Sequence, residues 1–338
     1  MGRIWGGRRL QEVFGKELPP GEKIGESWEI ADLPEGKSTI GNGPLRGQTL
    51  GDVFRRYTEE IVGTSSRLET GAWRPKAPTA YGLQPGTSAF PLLVKFLDAE
   101  DVLSVQVHPD AATCRRMGSG QPKTECWYII QAEPGAVIYK GLRKGVTKEH
   151  FARAIETQDV ASLLAAVPVH PGECHYLPAG TVHALSAGLL IAEVQTPSDT
   201  TYRVFDWNRV DDAGKPRQLH IAEALESIHF DLTPDKLPVT TVGRLVDSEY
   251  FKVDKGVGWA VPTISSRPGK SVGTAHPTSV ALAPGCMRVL IFITGGGVIV
   301  SKGAEPIEFK AGDCLLIPAA FEGAVQFTCD TEYLTVTT

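Results

Sequence analysis

Long apolar runs are missing from these 338 residues. The most extended, LLAAVPV and ALSAGLLIA, are too short to span a bilayer, which excludes a transmembrane helix. The opening MGRIWGGRR has no apolar signal core, and Gly at position 6, where Ser or Thr would be needed, argues against lipidation at Gly2. Cysteine is sparse: six residues, at 114, 126, 174, 286, 314 and 329, with no C-x-x-C pair. A chain of this length needs no disulfide staples, so reduced thiols in a cytoplasm are expected. Positive charge is also in deficit. A formal charge of −5 and a pI near 5.9 leave no basic footprint for nucleic acid. A phosphorylated ligand would have to be met by local cations inside a pocket.

What is abundant is turn chemistry. Thirty-six Gly and 24 Pro punctuate short β-branched or aromatic runs such as FPLLVKFL, VLSVQVH, CWYII, LLIAEVQT, RVLIFIT, DCLLIPA and YLTVTT. That pattern predicts a mostly β chain of sandwich or jelly-roll type with few helices. Three helical segments are expected: one from the Thr49 cap through Glu60, one capped by Thr147 over KEHFARAIE and continued by VASLLAAV, and one within RQLHIAEALESIHF near 217–230. An internal repeat also shows. GECHYLPAGTVHAL at 172–185 lies on GDCLLIPAAFEGAV at 312–325, and GAVIYKG at 135–141 lies on GVIVSKG at 297–303. The two matches predict two jelly-roll barrels, 1–235 with a helical insert near 147–167 and 236–338, divided in the Pro-rich DLTPDKLPVT. In the second copy the position of Glu125 falls near Arg288 and that of His183 at Gly323, so no metal set is expected there.

The first copy carries the chemistry. Gln106 and His108 in LSVQVHPD are two apart on a strand and point the same way. Glu125 opens a second strand, and His183 follows a Pro178-Ala179-Gly180 turn that can bring it back alongside. Two imidazoles, a carboxylate and an amide oxygen suit zinc or a neighbouring first-row ion, with positions left open for water or substrate. A lone His on a strand is more often a satisfied core residue than a ligand; four candidates in this order change that balance.

The order Q-x-H, E, H is a variant of the cupin pattern, and the chain resembles the type I mannose-6-phosphate isomerases in their shorter bacterial form. The resemblance runs nearly end to end: IWGGRRL at 4–10, GESWEIAD at 25–32, PLLVKFLDAEDVLSVQVHPD at 91–110, PKTECWYII at 122–130, HYLPAGTVHAL at 175–185 and EVQTPSDTTYRVFDW at 193–207. It implies two cupin-type barrels, the first catalytic and the second degenerate, and one zinc ion per chain held by Gln106, His108, Glu125 and His183. It further implies interconversion of mannose 6-phosphate and fructose 6-phosphate, with Arg203 as the catalytic arginine. Members of this family usually carry a further β segment ahead of the Ile4-Trp5 element, where this chain begins.

Other pocket candidates follow from strand alternation. Lys95 alternates inward in PLLVKFL, Lys123 shares a face with Glu125, and Ser104 shares one with Gln106; all three resemble the family's pocket residues. Each also has a structural reading as a snorkelling lysine, an ion pair or a backbone-satisfying hydroxyl. Glu193 in LLIAEVQT is the candidate base, with pairing to Arg203 or Lys123 as its structural reading. His170 and His175 flank the metal turn and read as structural, with His175 expected to point away from the interior if Tyr176 points in, and His150, His220, His229 and His276 lie on helical or loop segments without ligand spacing. Trp5, Trp28 and Trp127 read as core aromatics. The partner is then a phosphorylated hexose, with no nucleic acid or membrane, and the assembly a monomer or weak dimer. Two other classes compete: a cupin non-haem iron oxygenase using His108, Glu125 and His183, and a non-enzymatic sugar-phosphate-binding cupin.

Overall fold

The computed structural model describes residues 1–63, 89–210, 214–259 and 279–338; His276 lies outside them. Among the described residues, one compact unit holds 1–12, 16–55 and 89–241, and a second holds 13–15, 56–63 and 242–338. Each is built mainly from two antiparallel sheets, as the turn-punctuated β-rich runs predict, and the first adds a two-stranded ribbon of Asp32–Leu33 with Gly36–Lys37.

In the first unit the larger sheet has the order Val239–Thr240, Cys174–Leu177, Glu125–Ala132, Leu189–Gln195, Leu93–Ala99, Glu26–Ile30. The smaller has the order Tyr202–Phe205, Val105–Val107, His183–Leu185, Val137–Leu142, Leu164–Pro168. Leu97, Trp127, Ile129, Leu177 and Ile191 of the first sheet pack with Ile138 and Leu185 of the second in one buried cluster. Each such side chain contributes about 1.5–3 kcal/mol on burial, enough between them to offset the cost of polar groups placed on the same inner face.

The second unit repeats the pairing. Arg288–Phe292 lies between Cys314–Ile317 and Thr331–Thr337, as Glu125–Ala132 lies between Cys174–Leu177 and Leu189–Gln195. The two GAVIYKG-like segments align one residue away from the expected register. Ile138 pairs with Leu185 and Ile299 with Val325, so Tyr139 corresponds to Val300 and not to Ser301. Burial parity sets this: Ile138 and Ile299 must both face the core, and a one-residue slip would turn them out.

The helices are shorter than the sequence suggests. Thr49 caps Leu50–Arg56, and the segment breaks before a second turn, Thr58–Val62. Thr147 caps Lys148–Glu156 by accepting from the His150 N–H, but the predicted continuation fails. Val160–Leu163 is a single 3-10 turn, and Leu164–Pro168 is an edge strand paired with Val137–Leu142. Tertiary pairing outweighs the helical propensity of Leu-Ala-Ala there. Ile221–Ser227 forms within the third predicted segment.

Candidate metal centre and pocket

The inner face of the larger sheet changes from apolar to charged along its length. Glu125 lies two residues from Trp127 and so shares its face, and Trp127 pairs across to Glu193 and Glu193 to Lys95. His175 is in the same row opposite Trp127 and is fully buried, whereas Tyr176 is only half-buried, so the expectation that His175 points outward is overturned. Its Nε2 meets Glu173 at 3.1 Å, and burial pushes its pKa down to about 4.

Three segments at the end of the sandwich are tied together and bring the ligand candidates to one point. The Gly180 N–H donates to His108 O at 2.8 Å, the Ala179 N–H to Thr124 Oγ1, and the Lys123 N–H to Pro109 O. Gly180 is required: its φ is +85°, and a Cβ there would lie 2.4 Å from the His229 ring. That turn returns the chain so that His183 pairs with Gln106.

His108, Glu125 and His183 are each at most 2% exposed, and one ligand atom from each lies within 4.8 Å of the others. His108 Nδ1 is 2.8 Å from the Thr200 carbonyl, and His183 Nδ1 is 2.8 Å from the Thr181 carbonyl. A carbonyl can only accept, so both rings carry their proton on Nδ1 and present an Nε2 lone pair. Those lone pairs face Glu125, at 3.3 Å from Oε2 and 3.4 Å from Oε1. Among the described residues, apart from Lys123 Nζ, 2.9 Å from Glu125 Oε2, no donor reaches the carboxylate oxygens, and His108 Nε2 is buried without a hydrogen-bond partner. Acceptors turned on acceptors in a dry site are costly unless a cation lies between them, so this donor set fits a divalent ion. Burial lowers the pKa of both imidazoles, His108 to about 3, which keeps them neutral as ligation requires. Gln106 stands beside them with its amide nitrogen 3.3 Å from His183 Nε2; rotating the amide by half a turn presents Oε1 instead.

A cavity of about 760 Å³ adjoins the centre. Its walls carry Lys95, Ser104, Lys123, Glu193 and Arg203, the five pocket candidates, together with the ligand candidate Gln106. The three buried triad residues lie behind that wall, each of two touched by a lining residue: Gln106 contacts His183, and Lys123 Nζ lies 2.9 Å from Glu125. Glu193 pairs with Lys95 at 3.2 Å and accepts from Trp127 Nε1 at 3.0 Å, rather than pairing with Arg203 or Lys123. Burial and the nearby Glu125 charge push the Glu193 pKa up. Arg203 donates to Ser104 Oγ at 3.2 Å and to the Gln218 carbonyl at 2.9 Å.

Sequence reasoning missed part of the wall. Glu26 takes a two-pronged bond from Arg3, 2.9 Å on each arm, and accepts from Trp28 Nε1 at 2.8 Å. Burial alone would raise its pKa, but Lys95 and Arg3 hold it at about 2. Trp28 is half-buried, lines the cavity and lies under Lys95 Nζ at 4.9 Å, so it is not a plain core aromatic. The alternation of Glu26, Trp28 and Ile30 was the available signal. Arg217 also lines the cavity and had no local signal.

Fold and site together define a metal-binding β-sandwich protein of cupin type. The family model "Phosphomannose isomerase type I, catalytic domain" matches residues 2–124. "Probable mannose-6-phosphate isomerase GmuF" of Bacillus subtilis is 37% identical over 97% of this chain and 94% of its own length. The mannose-6-phosphate isomerase of Streptococcus mutans is 34% identical over 98% and 94%. The crystal structure of the Bacillus subtilis mannose 6-phosphate isomerase superposes with a TM-score of 0.78 at 29% identity, covering 100% of this chain and 96% of that one. A mannose 6-phosphate isomerase bound with zinc and yttrium shares the fold at a TM-score of 0.68 and 17% identity, covering 100% and 97%. The chain belongs to the mannose-6-phosphate isomerase family.

Proposed function

We propose that the protein interconverts mannose 6-phosphate and fructose 6-phosphate through an enediol(ate), using one zinc ion held by Gln106, His108, Glu125 and His183. The observation that carries this is the pair of Nε2 lone pairs converging on the buried Glu125 carboxylate beside a cation-lined cavity. Bound there, the ion would supply Lewis-acid stabilisation of the charge that develops on the substrate. The protein's share is proton transfer and charge placement. Glu193 is the base: burial and the Glu125 charge raise its pKa, which favours its taking a proton, and Trp127 Nε1 fixes one carboxylate oxygen while Lys95 lies beside the other. Arg203 is held by Ser104 and Gln218 with a guanidinium edge left to meet charge that develops on the substrate. Lys123 compensates Glu125 and faces the same cavity.

A catalytic cupin barrel is followed in this reading by a degenerate one, with the division near 241 and not at the expected 235/236, because Val239–Thr240 pairs with Cys174–His175 in the first unit's sheet. The reading keeps a cytoplasmic monomer or weak dimer as its expectation; the six cysteines are free, in keeping with a reducing compartment. The deciding experiment is turnover of mannose 6-phosphate by the zinc-loaded protein, coupled to fructose 6-phosphate detection. Loss of turnover on chelation and its return with zinc is the expected result; oxygen uptake with iron and no isomerisation would support the oxygenase class instead.

A further inference from the structure

The cations around the cavity are not equivalent. Of the five side-chain cations, Lys95 is paired with Glu193, Lys123 with Glu125 and Arg3 with Glu26, each with a carboxylate it shares with no other guanidinium. Arg203 has only neutral acceptors, Ser104 Oγ and the Gln218 carbonyl. Arg217 is fixed differently. Its Nε and Nη2 both bond the Asp206 carboxylate, at 2.7 and 2.5 Å, leaving Nη1 free of that carboxylate on a residue that lines the cavity. Asp206 is 6% exposed and also accepts from Arg209 Nη2 at 2.6 Å, so one carboxylate aligns two guanidinium groups. Arg209 is turned away to Asp101 and the Val102 carbonyl and does not line the cavity.

The backbone sets Arg217 beside Arg203. The Gln218 carbonyl takes the Arg203 Nη1 bond, the His220 N–H donates to Arg203 O at 2.8 Å, and the Arg203 N–H meets His220 Nδ1 at 3.3 Å. One face of the cavity therefore presents two adjacent guanidinium groups, with a third behind them, against one buried carboxylate. The other carboxylates near this face, Asp101 and Asp199, are exposed to solvent. Surplus positive charge in a concave site calls for an anion, and a planar guanidinium edge matches a phosphoryl group of about two negative charges.

We propose that Arg217 is the residue that holds the phosphoryl end of the substrate, and that Asp206 is its positioning residue. The proposal rests on the isomerase reading for the identity of the substrate, though not for the binding of phosphate. A guanidinium free to rotate would lose rotamer entropy on each binding event; clamped by Asp206, Arg217 has that cost already met by folding. Its bond to phosphate is made equally in ground and transition states, so it acts on KM and on phosphate affinity, and not on kcat.

The test uses zinc-loaded full-length protein, with inorganic phosphate as the probe in isothermal titration and mannose 6-phosphate as the substrate in steady-state kinetics. Arg217→Gln should raise the phosphate Kd and the KM together by about ten- to hundred-fold with kcat within about three-fold of wild type, the loss expected of one charge-assisted contact. Arg217→Lys, which keeps the charge and is the safer variant for folding, should recover part of that loss. Asp206→Asn should raise both constants by a smaller factor with kcat unchanged. A phosphate Kd and KM for Arg217→Gln within about two-fold of wild type would overturn the proposal, as would a fall in kcat at constant KM. Wild-type values in Asp206→Asn, beside a weakened Arg217→Gln, would overturn the positioning role. Should wild type bind phosphate yet not isomerise mannose 6-phosphate, the Kd comparison still decides the inference while the isomerase reading fails on its own.

Discussion

Arg288 occupies in the second unit the place that Glu125 occupies in the first. Glu125 pairs with Leu177 at the end of its neighbouring strand, and Arg288 pairs with Ile317 at the end of the corresponding one. Where His183 meets Gln106, Gly323 meets Leu282. No ligand can be restored at 323 by substitution alone, because a Cβ there would lie 2.2 Å from the Val300 carbonyl oxygen. Arg288 is instead spent on the Ala283 and Cys286 carbonyls.

One tightly held divalent ion per chain is therefore expected. Metal analysis after exhaustive dialysis checks it, and two retained ions per chain would sink the assignment of the second unit as metal-free.

His183→Ala removes one of the two converging lone pairs. The expected outcome is loss of the ion and of activity with the far-UV circular dichroism unchanged, since the sandwich core does not depend on the ligand. Full metal occupancy with retained turnover would take His183 out of the site.

Arg203→Ala should lower kcat by about 10²–10³-fold with metal content intact, in the range seen when one electrostatic donor to a transition state is lost. Arg203→Lys should recover only part of this, because the lysine cannot bond Ser104 and Gln218 and still offer a planar edge. A change confined to KM would make Arg203 a binding residue.

Glu193→Gln keeps the shape and the acceptor for Trp127 Nε1 but cannot take a proton. A fall in kcat of about 10²–10⁴-fold is expected if it is the base. Kinetics within about three-fold of wild type would assign it to charge balance with Lys95 alone.

Acid should destabilise the fold in two steps. His175, with a pKa near 4 when folded against an ordinary 6.5, takes up its proton more readily unfolded, so its contribution is full above 6.5 and lost as pH falls toward 4. Glu26, held at about 2 against 4.5, contributes above 4.5 and loses that contribution as pH falls toward 2. Each is worth at most roughly 3–4 kcal/mol. Denaturant midpoints followed from pH 7 to pH 3 should fall throughout, and His175→Gln should flatten the upper part of the curve. An unchanged upper slope in that variant would show that His175 is not the group responsible.

Local pattern carried most of the metal centre. Period-two alternation put Gln106 with His108 and Glu125 with Trp127, and the Pro178-Ala179-Gly180 turn placed His183, because each relation spans a few residues of one strand or turn. Helix starts were readable for the same reason: Thr49 and Thr147 cap their own next turns. Strand pairing decided the rest. Leu164–Pro168 became a strand because Val137–Leu142 lay open beside it, and His175 turned inward because register with Trp127 leaves it no other face. The orientation of Arg217 depends on Asp206, and the pairing of Glu193 with Lys95 on a register across strands nearly a hundred residues apart in sequence. The amino-acid sequence by itself determined which side chains share a strand face and where the chain turns; only the tertiary structure decided which faces meet, since register and sheet packing are fixed by burial summed over distant strands, and it is those meetings that choose each charge's partner.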